Sequence, residues 1–258
     1  MDWLPFALGV LFLIACGASG CLMLLLRARG IERRERVYGI VTPRLREIAS
    51  VLGALAGLAI GGIILYFASS TSQFNLIEWV GRGSYMLVTG AASGHLLILI
   101  RTALHLQSEE AAWASGGNPP RGTLAYRRLQ ALAGFRRQHR QYAEISMRDD
   151  GALEELIGVL GTPLLNARND LSRIPFYGYL GTVCGILLMA RQLGFINEAT
   201  ETFKVLSSMA TGLVLAFQTT LVALLAFLPL RKTTDYLIRR LGRLEEMWLQ
   251  ARDGGVRG

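Results

Sequence analysis

The segment IPFYGYLGTVCGILLMA, residues 174–190, carries no charge and is nearly long enough to cross the hydrocarbon core of a membrane as a helix. Gly178, Gly181 and Gly185 interrupt it, and Thr182 places a hydroxyl near its middle. Glycines at i, i+3 and i+7 lie on one side of a helix. Small residues on one side let a second membrane helix approach closely. The segment therefore predicts a membrane helix that packs tightly against a neighbour, with Thr182 at the border of the contact.

Four other charge-free runs have similar lengths, at residues 3–26, 48–77, 83–100 and 205–230. Just over half of the 258 residues are apolar, and the mean hydropathy is +0.36. A helix needs about 20 apolar residues to cross roughly 30 Å of hydrocarbon, and each run approaches or exceeds that length. These runs predict an all-α integral membrane protein with about five transmembrane helices.

The basic residues predict the orientation of these helices. Seven arginines lie in 27–46, ten in 101–173 and seven Lys or Arg from 231 onward, whereas 68–82 and 191–204 together carry three. Because cytoplasmic loops collect positive charge, the N-terminus is expected outside and the C-terminus inside. The isoelectric point of about 9.9 then follows from this bias. It does not require a nucleic-acid partner.

The alternation of apolar and charged segments predicts the organisation of the chain. We expect a first transmembrane helix at 1–27, a cytoplasmic basic loop at 28–48, a transmembrane hairpin at 49–104, a cytoplasmic helical region at 105–172, a helix pair at 173–231, and a cytoplasmic C-terminal helix and tail at 232–258. Within the cytoplasmic region, Gly161 and Pro163 are expected to break the helix, because proline removes a backbone donor.

The C-terminal helix carries an apolar stripe. Leu237, Leu241, Leu244 and Trp248 recur at i, i+4, i+7 and i+11, which is a heptad-like spacing. The stripe fits packing on the cytoplasmic region of the same chain. It fits packing between subunits equally well.

Glycine also recurs in the second apolar run. Gly53, Gly57 and Gly61 follow a four-residue period, which lets helix backbones approach closely in lipid. This pattern predicts a helix–helix contact, in the same chain or with a neighbour, and indicates nothing about chemistry.

The last apolar run carries polar side chains at membrane depth. Gln218, Thr219 and Thr220 follow Gly212, and Pro229 stands near its end. Polar side chains at this depth usually face protein or a water-filled cavity. Alternatively, threonine hydroxyls bond to carbonyls of their own helix. Two helices joined by a short external segment, each with a central threonine, favour a lined pathway.

The two central threonines are expected at the same depth. Thr182 lies eight residues after Ile174, and Thr220 lies nine before Pro229. At about 1.5 Å of rise per residue, these distances from the cytoplasmic ends nearly coincide in antiparallel neighbours. Thr182 and Thr220 are therefore predicted to face a central cavity at similar depth.

The segment LGTVCGI at 180–186, followed by Gly212, Thr220 and Pro229, resembles the MotA/TolQ/ExbB proton-channel family. The resemblance covers residues 173–232. It implies a proton-pathway lining made of Thr182, Thr220, Thr219 and Gln218. It also implies helix packing around a central partner at Gly178, Gly181, Gly185, Gly212 and Pro229.

Two features depart from the family pattern. TolQ and ExbB usually carry a glutamate at the position of Leu215, so the role of that carboxylate does not transfer to this chain. TolQ and ExbB have three crossings and MotA has four, whereas this chain adds the hairpin at 49–104. The subfamily and the process that it would serve stay open.

The resemblance also implies partners. No Asp or Glu lies in any charge-free run, and a proton path at membrane depth normally needs a titratable group. The family supplies it as an Asp on a single-helix MotB/TolR/ExbD-like partner, whose dimer is enclosed by a homo-oligomer of five channel subunits. The resemblance thus implies a channel (stator-like) subunit of a motor or energiser driven by the proton motive force. Its expected location is the bacterial inner membrane, as a multi-pass protein.

Proteins with other functions are expected to show other sequence features. A non-conducting membrane scaffold would use the same glycine faces and C-terminal stripe, so it stays as an alternative. A small-molecule transporter would show inverted repeats or midplane acids, which the sequence lacks. No nucleotide loop, metal cluster or catalytic triad is found, so we expect no enzyme, no cofactor and no metal site.

Two residue types in the apolar runs are assigned to packing. His95 could relay protons, but its place in the added hairpin favours a hydrogen-bonded helix contact. The cysteines, Cys16, Cys21 and Cys184, all lie in apolar runs and suggest small packing residues, not a disulfide framework or a zinc site.

Overall fold

The computed structural model describes residues 3–40, 42–70, 76–114, 119–138, 142–193 and 202–254. Within these residues the fold is all-helical, without β-strands. Its helices are α1 (Trp3–Val37), α2 (Leu45–Ser70), α3 (Leu76–Ala114), α4 (Leu124–Gln138), α5 (Tyr142–Leu171), α6 (Arg173–Leu193) and α7 (Thr202–Gly254). The predicted helical class is confirmed.

Among the residues that the structure describes, five helical stretches are long and apolar enough to cross a membrane. They are Pro5–Val37, Leu45–Ser69, Leu76–Trp113, Ala143–Arg191 and Gly212–Gln250. Each contains one of the five charge-free runs or most of it, so the predicted number of membrane helices is confirmed. The chain is a multi-pass membrane protein. The orientation of its termini stays a prediction.

The helices divide into two compact units. The first unit, called the crossing unit here, comprises Met1–Leu25, Glu47–Leu96 and Asp170–Arg231. The second, called the polar unit, comprises Leu26–Arg46, Leu97–Asn169 and Lys232–Gly258. The division follows the sequence, because nearly all of the charge-free residues belong to the crossing unit and most charged residues to the polar unit.

In the crossing unit, the glycines of α2 pack against α1. A Cβ added at Gly53 would lie 2.5 Å from the carbonyl oxygen of Gly20, and one added at Gly57 would overlap the carbonyl oxygen of Cys16. Such a contact leaves no room for any side chain larger than hydrogen. The four-residue glycine period of α2 therefore serves a contact within this chain, which answers the question that the sequence left open.

A small apolar core holds α3 in the crossing unit. Tyr85, Leu188 and Leu215 are its buried members, and Ile63, Phe67 and Ile77 pack against them. The rings of Phe67 and Tyr85 lie 5.7 Å apart, within the range of favourable aromatic pairs. The added hairpin thus contributes to the same core as α6 and α7.

In the polar unit, the apolar stripe of the C-terminal helix is buried. Leu237, Leu241, Leu244 and Trp248 are each at most 6% exposed. Arg128 of α4 donates to the backbone carbonyl of Trp248 at 2.7 Å and pairs with the buried Asp149 of α5. Of the two interpretations of the stripe, packing within the same chain is the one that this structure shows.

Helix α1 continues well into the segment 28–48 that the sequence predicted as a loop. It ends at Val37, and α2 begins at Leu45. The arginines and glutamates of this segment are good helix formers, so nothing stops the helix before Gly39. Gly39 adopts φ 64°, and Ile40 N–H and Gly39 N–H donate to the carbonyls of Glu35 and Arg36. This is the Schellman arrangement that ends helices.

The expected break at Gly161 and Pro163 is wrong. Helix α5 runs through both residues, from Tyr142 to Leu171. The flanking Leu160 and Leu164 are fully buried, and Gly161 lies opposite the side chain of Leu241. Burial of these leucines in the polar unit outweighs the backbone hydrogen bond that proline removes.

Candidate functional site

Helices α6 and α7 touch through backbone at Gly185 and Gly212. A Cβ added at Gly185 would overlap the carbonyl oxygen of Gly212, and one added at Gly212 would lie 2.7 Å from the carbonyl oxygen of Gly185. The contact is reciprocal, so neither position admits a side chain unless the helices move apart. The two glycines fix the distance between α6 and α7 near one end of their contact.

The other glycines of α6 receive side chains of α7. A Cβ at Gly178 would lie 2.5 Å from the Cβ of Ala223, and one at Gly181 would overlap the side chain of Thr219. Thr219 is consequently only 1% exposed. Its hydroxyl lies 2.9 Å from the carbonyl oxygen of Leu215, in its own helix. The glycine face of α6 is therefore occupied by α7 of the same chain.

The close approach brings Thr182 and Thr220 together. Their hydroxyl oxygens lie 2.5 Å apart, which agrees with the similar depth predicted from the sequence. The Thr182 hydroxyl also lies 3.1 Å from the carbonyl oxygen of Ala216 and 3.3 Å from that of Gly178. The Thr220 hydroxyl lies 3.1 Å from the same Ala216 carbonyl. We call Thr182 and Thr220 the threonine pair.

The protons of the threonine pair are satisfied inside the chain, but its lone pairs are not used up. Each hydroxyl has one proton and two acceptor sites. The two protons can be donated to the Ala216 carbonyl, to the Gly178 carbonyl or between the hydroxyls. At most one lone pair of the pair is engaged by the other hydroxyl. The pair therefore retains capacity to accept hydrogen bonds from a donor outside the chain.

The threonine pair is half-buried in a surface that is otherwise apolar. Neighbouring positions on the same sides of the two helices carry large exposed side chains: Tyr179, Val183 and Ile186 on α6, and Leu213, Phe217 and Leu224 on α7. We call these six residues and the threonine pair the pair face. Phe217 is 69% exposed in the single chain. Apart from the phenol of Tyr179, the pair supplies the polar atoms of this face.

The structure separates the other two predicted pathway residues from the pair. Thr219 is enclosed between α6 and α7, as described above. Gln218 is exposed on a different side of α7, where its side-chain oxygen lies 3.4 Å from the hydroxyl of Tyr85. Of the four residues predicted to line the pathway, only Thr182 and Thr220 are brought together. Pro229 is exposed on α7, which continues through it to Gly254.

The position aligned with the family glutamate is part of the apolar core. Leu215 is 8% exposed and packs with Tyr85 and Leu188. A Cβ added at Gly81 of α3 would lie 3.0 Å from the Leu215 side chain, so no space remains there. The added hairpin thus covers this position. A carboxylate there would be desolvated, which makes an apolar residue the stable choice.

Sequence reasoning missed two residues of α3 that pack against the helix pair. Gly81 lets α3 approach Cys184 and Leu215, and Tyr85 packs in the core and reaches Gln218. Both lie in the added hairpin, four residues apart and so on one side of α3. That spacing was the available signal, although it does not identify the helix that this side contacts.

His95 and the cysteines lie in helices of the crossing unit, and the hydrogen-bonded helix contact expected of His95 stays a prediction. His95 is buried in α3, Cys184 is buried beside Gly81, and the thiols of Cys16 and Cys21 are free. Within the described residues, no group of three or more His, Cys, Asp or Glu could hold a metal ion.

Comparison with protein-family models identifies the family that this helix pair resembles. Residues 168–250 match the model of the MotA/TolQ/ExbB proton channel family. This region belongs to that family. Neither the curated proteins nor the solved structures include a significant match to the chain.

The MotA/TolQ/ExbB region covers roughly a third of the chain. It contains α6 and most of α7, and therefore the whole pair face. The resemblance inferred from the threonines, glycines and proline is confirmed for this region. The match supports a proton-channel-type membrane protein, and the family is one of channels. Helices α1 to α4 lie outside the match.

Proposed function

We propose that this chain is the channel (stator-like) subunit of an inner-membrane motor or energiser driven by the proton motive force. It surrounds a single-helix MotB/TolR/ExbD-like partner that carries the protonatable Asp. The threonine pair is the part of this chain that meets the Asp. The observation that carries the proposal is the pair face, where two hydroxyls with spare acceptor capacity interrupt an exposed apolar surface.

The titratable group of the pathway has to come from another chain. The charge-free runs that form α6 and α7 contain no Asp or Glu, and the position of the family glutamate is the buried Leu215. Threonine hydroxyls do not titrate near neutral pH, so they cannot carry the proton themselves. A carboxyl group on a helix that packs against the pair face would supply the missing function.

The threonine pair suits both protonation states of such a carboxyl group. A neutral carboxylic acid donates one hydrogen bond, and a lone pair of the threonine pair can accept it. An ionised carboxylate only accepts, so one hydroxyl proton must turn from a helix carbonyl toward it. The Ala216 carbonyl would then lose a side-chain donor and keep its place in α7. The pair would thus lower the cost of ionising an Asp at membrane depth, which desolvation otherwise opposes.

The apolar part of the pair face suits a ring of subunits around a helix. The glycine face of α6 is filled by α7, so it cannot receive another subunit. The exposed residues beside the threonine pair are large and apolar, as contact with an apolar partner helix requires. The family resemblance supplies the number: five channel subunits around a partner dimer, in the bacterial inner membrane. The charge bias supplies the orientation, with the N-terminus outside.

The test is proton flux in liposomes that contain the chain and its partner. Replacing Thr182 and Thr220 together by valine keeps the shape and removes both hydroxyls. Thr89→Val in α3 is the matched control, because the Thr89 hydroxyl also bonds to a carbonyl of its own helix, at 2.8 Å from Tyr85 O. We expect the double variant to lose flux by about tenfold or more while Thr89→Val conducts normally. Wild-type flux in intact assemblies of the double variant would show that the threonines only pack.

A non-conducting scaffold is the alternative that one observation favours. The hydroxyl protons of Thr182, Thr219 and Thr220 all have acceptors inside the chain, as packing residues require. A scaffold would bind its partner and conduct no protons, with or without the threonines. Flux through the wild-type complex therefore separates the two functions.

A further inference from the structure

The end of α1 that belongs to the polar unit carries a stripe of exposed residues. Leu26, Arg29, Arg33 and Arg36 recur at i, i+3, i+7 and i+10, which places them on one side of the helix. All four are exposed. We call Arg29, Arg33 and Arg36 the arginine stripe. Its three guanidinium groups and the apolar Leu26 form one continuous surface.

The carboxylates of this helix end do not neutralise the arginine stripe. Glu35 is only 2% exposed and accepts hydrogen bonds from Thr42 and Arg101. Glu32 is engaged by the Arg46 guanidinium at 2.6 Å. Among the residues that the structure describes, the three arginines of the stripe form no ion pair. The stripe therefore keeps a charge of three, directed away from the body of the polar unit.

The position of the stripe along the chain places it at a membrane surface. The first charge-free run ends at Leu26. At about 1.5 Å of rise per residue, Arg29 and Arg33 lie about 5 and 10 Å beyond that end. The headgroup layer on each side of the hydrocarbon is about 5–8 Å thick. Arg29 thus lies at the level of the lipid phosphates. Arg33 lies just beyond that level, and its side chain tilts toward the helix N-terminus and so back toward the phosphates.

We propose that the arginine stripe binds the headgroups of anionic phospholipids. Guanidinium groups match phosphate oxygens in a two-pronged geometry and stay charged at every physiological pH. Clustered basic residues directly beside a transmembrane helix attract anionic lipids. Leu26 contacts the first carbons of the acyl chains while Arg29 and Arg33 hold the phosphate. An acidic protein segment is a poorer occupant, because the same surface begins at the end of a membrane crossing.

The experiment measures lipid retention by the full-length protein in detergent. The protein is supplied with equal amounts of phosphatidylglycerol and phosphatidylcholine, and bound lipids are counted by native mass spectrometry. We expect the wild type to retain phosphatidylglycerol preferentially. The variant R29Q/R33Q should lose that preference by about tenfold, since each arginine near the surface contributes severalfold in affinity.

The matched control is R27Q/R34Q, which removes the same charge from another side of the same helix. Arg27 and Arg34 are also exposed, at nearly the same mean distance from the end of the apolar run. We expect this variant to change the preference by less than about twofold. For the wild type, 0.5 M salt should weaken the preference, because the contacts are ionic and exposed.

Three results would overturn the proposal. Equal losses in the two double variants would mean that general surface charge, not the stripe, attracts lipid. Equal retention of the two lipids by the wild type would mean that no anionic lipid is selected. If R29Q/R33Q instead lost binding of a soluble polyglutamate peptide and kept its phosphatidylglycerol, the stripe would serve an acidic protein partner.

Discussion

The two units treat buried polar groups in opposite ways. In the polar unit, the carboxylate of Glu35 accepts hydrogen bonds from the backbone and hydroxyl of Thr42, from Arg101 at 2.6 Å and from His105 at 3.2 Å. Its Oε1 lies within hydrogen-bond distance of three side chains, and its Oε2 accepts from the backbone of Thr42. In the crossing unit, Thr182 and Thr220 share two protons among nearby carbonyls and leave lone pairs over. A buried charge held by several partners fixes a structure, whereas spare acceptor capacity at a half-buried site leaves room for a reaction partner.

The Glu35 cluster is also more deeply buried than the threonine pair. Glu35, Arg101 and His105 are each at most 5% exposed, whereas the threonine pair lies at the edge of an exposed apolar face. Loss of a fully buried charge partner leaves an uncompensated charge, and loss of an edge hydroxyl leaves only a carbonyl already bonded in its helix. Substitutions in the polar unit should therefore affect stability, and those at the threonine pair should affect conduction.

The largest loss of stability is expected from Glu35→Gln. The substitution keeps the size of the side chain but removes the charge that compensates the buried Arg101. The free energy of unfolding should fall by about 3–5 kcal/mol, the usual cost of breaking a buried ion pair on one side. A denaturant titration of the purified protein, followed by circular dichroism, measures it.

Glu32→Gln is the control for this prediction. Glu32 pairs with Arg46, whose side chain is 56% exposed, so its loss should change stability little. If Glu35→Gln were no more destabilising than Glu32→Gln, full pairing would not be what stabilises the polar unit. The contrast between the units would then fail.

A smaller loss is expected from Gly185→Val in the crossing unit. The added side chain meets the Gly212 carbonyl and the Cβ of Ala216, so α6 and α7 must move apart. Overpacking of this kind costs about 1–3 kcal/mol and would separate the threonine hydroxyls, so proton flux should fall as well.

Gly90→Val is the matched control, because a Cβ at Gly90 of α3 meets no atom within 4 Å. It should leave both stability and flux close to the wild type. Normal flux in Gly185→Val would show that the α6–α7 distance does not matter for conduction.

The sequence predicted the crossing unit better than the polar unit, for a physical reason. Charge-free runs and glycine periods act along single helices, so the five membrane helices and the similar depth of Thr182 and Thr220 could be deduced from spacing alone. The Glu35 cluster joins residues that are up to seventy positions apart in the chain. No local period connects them, and each one alone looks like a solvated charge.

Within the helix pair, sequence reasoning failed where the orientation of a side chain decides its role. Gln218 and Thr219 stand next to Thr220, and all three were predicted to line one pathway. Successive residues of a helix point about 100° apart, so Thr219 turns to Gly181 and Gln218 turns to Tyr85. Only the positions of α6 and α3 around α7 show which of these three side chains faces which neighbour.

The smallest change of stability, and the sharpest contrast between the units, is expected from Thr182→Val with Thr220→Val. Both hydroxyls are lost, but valine fills nearly the same volume and the carbonyls of Gly178 and Ala216 keep their backbone bonds. The free energy of unfolding should therefore fall by only about 1 kcal/mol, less than for Gly185→Val and far less than for Glu35→Gln. Flux should nevertheless drop, because the partner carboxyl group loses its hydrogen-bond partner at membrane depth. A double variant that unfolded as readily as Glu35→Gln would place the threonine pair with the structural networks of the polar unit. A double variant that stayed folded and stopped conducting would show that the threonine pair serves conduction and is not needed for the packing of α6 against α7.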